Sequence, residues 1–225
     1  MKKNISWGGQ YFLIVLAVVV TCMASCSSES DSALAELDKV MENKEAYIHD
    51  FVKKMNSVRT MYDLSESDAQ KWVYADNLFK EYIHFSLDSA YVYLSLMKKH
   101  SQTPEDHART AMAEVNILHQ KQMHELAVKT FKDIDTVLAY TSALRKEYLT
   151  CALYLYKNLD LEELERYRQE YMALDTLSVF GQKIHSQYLR DKGYYERSLE
   201  ILLSCEGTEE NFHDKTSTAY NIAML

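Results

Sequence analysis

Eight histidines, four cysteines and 33 carboxylates are the groups in this 225-residue chain that could hold a metal or move a proton. His119 and His124 come nearest to a metal pair, because two imidazoles on one helix share an ion when they stand at i and i+4. They are five apart, and no HExxH motif accompanies them. No metal site is expected. Glu162-Glu163-Leu164-Glu165 and Asp133-Ile134-Asp135 set carboxylates side by side, the residue type that general acid–base work needs. Neighbouring helix positions do not face each other, however, so these read as solvated faces. No G-x-S-x-G elbow, P-loop or G-x-G-x-x-G occurs. The chain reads as non-enzymatic, with no catalytic residue and no cofactor.

The cysteines divide into two kinds. Cys151 and Cys205 are 54 residues apart, which is neither a disulfide framework nor a metal motif, so both read as small helix-packing residues. Cys26 follows a different pattern. Lys2 and Lys3 precede the apolar run Tyr11 to Val20, which is about half the roughly 20 residues needed to span a bilayer. A positive start, a short apolar stretch and small residues mark residues 1–25 as a secretory signal. Met23-Ala24-Ser25-Cys26 resembles a bacterial lipobox, which is cut before a cysteine whose thiol receives lipid. Cys22 fits less well, because Thr21 suits the last position before the cut poorly. Lipidation of Cys26 is favoured over ordinary cleavage near Ala24 or Ser25, since the polar tether of residues 26–31 follows at once. The protein is therefore expected to be exported and held to a membrane of the cell envelope by its lipid.

Losing residues 1–25 removes two lysines and no acid, taking the formal net charge from −8 to −10. Nucleic-acid affinity rests on basic phosphate contacts, and attraction to anionic lipid needs basic clusters. This charge argues against both.

Trp72, Phe79 and Tyr82 could stack on a peptide or a sugar. Together with Ala75 they also have the spacing of a helix's buried stripe, and Phe180, Ile184 and Tyr188 repeat it. Core is the favoured reading, and no ligand residue is assigned. The elements that carry these side chains follow from composition. Only five Gly and one Pro occur, while apolar residues make up 47%. Sheets draw on Gly and Pro for their turns, so the fold class is all-α.

A first long helix is expected over 32–62. Leu34, Leu37, Met41, Lys44, Ile48, Phe51, Met55, Val58 and Tyr62 step alternately by three and four, and Lys44 alone breaks the apolar seam. Such a stripe must be buried, either in a homodimer through 34–62 or against the rest of the chain.

Residues 63–68, DLSESD, end that pattern. Beyond them residues 70–225 read as helix pairs: 70–85 with 86–100, 105–121 with 124–133, 136–158 with 160–177, and 178–191 with 195–205. Pro104 suits a first helical position. Segment 212–225 begins a fifth pair and leaves the last repeat incomplete. Small residues align in the second helices, Ala90, Ala127 and Ser198, at separations of 37 and 71 residues. A period near 35 with paired helices resembles the tetratricopeptide repeat. The clearest copy is Lys192 to Glu200, KGYYERSLE, where Gly193 makes the turn, Tyr195 packs into the gap and Ser198 allows close approach. The copy at Leu161-Glu162-Glu163-Leu164 lacks the small residue.

Leu34 to Tyr47, Phe85 to Tyr93, Gly193 to Leu202 and His213 to Ala223 together resemble a family of exported tetratricopeptide proteins from Gram-negative gut bacteria. It is known as domain of unknown function 6377. Its larger members look like one-component regulators, with a transmembrane helix, a coiled coil and a helix-turn-helix after the repeats. The resemblance implies the sensory part of such a regulator, here truncated. A non-enzymatic envelope lipoprotein whose array binds a protein partner is the expected function. A glycan-binding surface lipoprotein of the starch-utilisation type is the alternative.

Overall fold

The computed structural model describes residues 42–141 and 143–205. The signal segment, Cys26, the tether, the seam positions Leu34, Leu37 and Met41, and the half-repeat 212–225 lie outside the described residues. Among the described residues there are ten helices and no strand. They are α1 (Lys44–Leu64), α2 (Asp68–Tyr82), α3 (Leu87–His100), α4 (Pro104–Gln120), α5 (His124–Lys132), α6 (Thr136–Thr141), α7 (Arg145–Tyr156), α8 (Leu161–Leu174), α9 (Val179–Asp191) and α10 (Tyr195–Cys205). None of them is long and apolar enough to cross a membrane.

The chain divides into two compact units, residues 1–57 and 58–225, and the division falls inside α1. In the first unit Ile48 and Val52 are about half exposed, and Met55 is buried.

The second unit is a stack of hairpins, and local chemistry starts four of its helices. Ser86 accepts from the Ser89 amide ahead of α3. Thr103 and Asp106 form a reciprocal capping box, with Pro104 opening α4 where its missing N–H costs nothing. Asp160 and Ser178 cap α8 and α9. The resulting pairs are α2–α3, α4–α5, α7–α8 and α9–α10. These are the expected pairs, and the fold is an all-α helical-repeat array.

Ala90, Ala127 and Ser198 are fully buried, which is what the alignment of small residues requires. At Ser198 the approach is close enough for reciprocal bonding. Its hydroxyl donates to the Ser186 carbonyl at 2.9 Å, and Ser186 Oγ donates to the Ser198 carbonyl at 3.2 Å. In the third hairpin Leu164, Tyr167, Arg168 and Tyr171 are buried, with the spacing of Ala90, Tyr93, Leu94 and Met97. Leu164 thus stands where the other copies have a small residue. Its partner helix α7 carries Cys151 and Ala152, both buried.

Two expectations need correction. The helix expected over 136–158 is broken, and α6 ends at Thr141 before α7 begins at Arg145. Ala139 and Leu144, on either side of the break, are both fully buried, and α6 and α7 each pack on α4 while α6 also folds against α7. Tyr195 does not pack into a gap either: it is 56% exposed. Gly193 does make the turn, at φ +83°, where a side chain would be strained.

Candidate functional site

The first helices of successive hairpins meet one another in a row. The Trp72 indole N–H donates to Thr110 Oγ1 at 3.0 Å, joining α2 to α4. Cys151 Sγ lies 3.8 Å from the Met112 carbonyl, joining α7 to α4. Tyr154 and Phe180, with centroids 6.4 Å apart, join α7 to α9. A face formed by these helices is therefore continuous from one hairpin to the next.

What that face presents follows from helical spacing. On α2, Val73 and Lys80 are seven apart and share a side; Val73 is 48% exposed. Asp76 lies between them and accepts from Lys80 Nζ at 2.6 Å. Burial pushes the Asp76 carboxyl up, and the bond from Lys80 opposes this. On α4, Arg109 donates through Nε and Nη2 to the two oxygens of Glu147 on α7, at 2.9 and 3.1 Å. Glu147 and Tyr154 are again seven apart, and Tyr154 is 51% exposed. The face offers two self-neutralised ion pairs flanked by an aliphatic and an aromatic side chain. That suits a polar chain with occasional apolar anchors.

The stripes considered for ligand stacking are mainly core. Trp72 and Phe79 are buried, and Tyr82 stacks on Tyr93 with centroids 5.2 Å apart. Ile184 is buried, and Phe180 and Tyr188 are half-buried. Cys151 and Cys205 are buried and not joined in a disulfide; the Cys205 thiol donates to Gln182 Oε1, and burial pushes Cys151 up to about 12. The adjacent carboxylates work locally. Asp135 accepts from the Val137 and Leu138 amides, and Glu163 accepts from Arg166 at 2.6 Å. No group of three or more metal-ligating side chains occurs among the described residues.

Sequence reasoning missed a polar chain centred on the buried His100. His100 sits 2.8 Å from Asp68 through Nδ1 and 2.9 Å from the Tyr62 hydroxyl through Nε2. A carboxylate can only accept, so Nδ1 donates to Asp68. The order carboxylate–imidazole–hydroxyl is that of a nucleophile relay. Here, though, burial and then Asp63 and Asp68 push the phenol up, so the hydroxyl is not activated. The chain ties the end of α1 to α2 and α3. No local pattern announces it, since its members are 32 and 38 residues apart.

His119 and His124 were separated by the i,i+4 argument, which assumes one helix. The structure places a turn between them and brings their rings within 5.3 Å.

A family model described as the SusR N-terminal TPR domain matches residues 41–225. No curated protein and no solved structure matches the chain.

Proposed function

The chain belongs to the SusR N-terminal TPR domain family, and on that premise we propose that it is a non-enzymatic envelope lipoprotein that docks a protein partner. Arrays of this type generally mediate protein–protein interaction. The surface assigned to docking is the face bearing Val73, Asp76, Lys80, Arg109, Glu147 and Tyr154. One observation carries this assignment: first helices of successive hairpins are joined directly, leaving Val73 and Tyr154 exposed beside paired charges. The partner is an extended or helical segment of another envelope protein.

The signal segment and the lipobox-like Met23 to Cys26 support export and anchoring through Cys26. The half-exposed Ile48 supports the homodimer seam. The finer family assignment, domain of unknown function 6377, and the role as the sensory part of a regulator rest on the quoted segments and on the SusR name of the matching family. The glycan-binding alternative loses its first stacking candidates, because Trp72 and Phe79 are in the core.

Crosslinking in cells followed by purification should recover the same envelope protein each time, with calorimetry against common glycans silent. A saturable glycan isotherm without a recurrent partner contradicts the proposal.

A further inference from the structure

His119 stands in the last turn of α4, and His124 opens α5. The turn between them is tightly determined. The Gln122 amide donates to the His119 carbonyl and the Met123 amide to the Leu118 carbonyl, both at 2.9 Å. Gln122 adopts φ +59°, the only non-glycine positive φ among the described residues. That left-handed residue reverses the chain and sets the two imidazoles together, with centroids 5.3 Å apart and planes inclined by 56°.

Each ring's Nδ1 is shielded from solvent, and neither has a hydrogen-bond partner in the protein. A buried polar atom left without a partner is costly. Two of them at one turn form an unsatisfied pair, and both are the nitrogens that bind borderline metal ions. Ring stacking alone would leave these atoms unmatched. Two imidazoles sharing a tetrahedral zinc at the usual Zn–N distance of about 2.0–2.1 Å place their centroids roughly 5 Å apart. The observed spacing fits an ordinary ring contact as well as a shared ion, and the two unmatched nitrogens favour the ion.

We propose that His119 and His124 form a two-imidazole site for a divalent cation of the zinc class, clamping the α4–α5 turn. Water fills the remaining coordination positions, since no third protein ligand accompanies the pair among the described residues. Burial, and then the neighbouring His124, hold His119 below its ordinary range. A metal ion takes the unprotonated ring, and a lowered value favours that form. The site is independent of the docking face and of any partner.

The test is calorimetric titration of Zn²⁺ into the chelator-treated, tag-free full chain near pH 7.5, with melting curves at excess Zn²⁺. The wild type should bind one equivalent more than His119→Gln, His124→Gln or the double variant. Zinc should raise the melting temperature of the wild type and not that of the variants. His185→Gln should keep the equivalent. Equal stoichiometry in wild type and double variant overturns the site. If a variant fails to fold, imidazole NMR signals of the wild type decide: zinc must shift those of His119 and His124 before those of the other six histidines. Earlier shifts elsewhere overturn the proposal equally.

Discussion

Arg109 reaches from α4 to α7 and closes a two-point bond on Glu147, 38 positions later in the chain. The pair fastens the first helices of two hairpins to each other on the side away from the core. It lies in solvent, so it contributes at most about 1 kcal/mol to stability. Its consequence is geometric. The guanidinium and carboxylate are held in fixed positions two turns along α7 from Tyr154, on a side that a bound segment could follow.

Gly181 shows how tightly the fourth hairpin is joined to the third. A methyl group there would stand 2.3 Å from the Asp175 carbonyl oxygen, a backbone atom with little room to move. Gly181→Ala should lower stability by about 1–3 kcal/mol in urea denaturation. An unchanged midpoint would mean that α8 and α9 do not meet as described.

Asp175 carries the main pH dependence of the same junction. Lys146 on α7, aided by the Ser178 and Leu177 amides, holds its carboxyl well below the usual range. A depressed carboxyl contributes stability above its unfolded value of about 4, and this is lost as pH falls toward the folded value. In Lys146→Met the folded value rises, so stability should fall less between neutral pH and pH 3 than in the wild type. Parallel pH profiles of the two proteins would remove the role given to Lys146.

Cys26 can be tested by fractionation. If it carries lipid, Cys26→Ser should move the mature protein from membranes to the soluble fraction. Retention on membranes sinks the anchor.

The seam on α1 has a separate test. Ile48 is nearly half exposed, so a charge there is tolerated by the single chain and not by a homodimer. Ile48→Asp should convert a dimer into a monomer in light scattering at unchanged helicity. A wild type already monomeric at high concentration ends the homodimer reading.

Helix pairing was legible because it rests on local signals. Pro104 and the DLSESD break act where they stand, and the small residues Ala90, Ala127 and Ser198 recur at a period visible along the chain. The break between α6 and α7 was not legible. Residues 136–158 hold no Pro or Gly, so no local breaker marks the place where they divide, although Ala139 and Leu144 are both buried on either side of it. Tyr195 failed for the converse reason: a motif assigns an aromatic ring to a gap, whereas the actual neighbours leave it in solvent. The docking face and the Tyr62–His100–Asp68 chain join residues 26 or more positions apart. Such pairs are set by the stacking of hairpins, which a reading of one helix at a time does not contain. His119 and His124 lay just beyond that limit, hidden by a turn of three residues.

The docking face is tested most directly by a photo-crosslinking residue placed at Tyr154 in the intact cell. The account predicts one recurrent envelope protein captured from Tyr154, absent when the crosslinker stands at exposed Glu125 on α5 and weakened by Arg109→Glu. Equal capture of that protein from both positions, with no effect of Arg109→Glu, would contradict the assignment of this face.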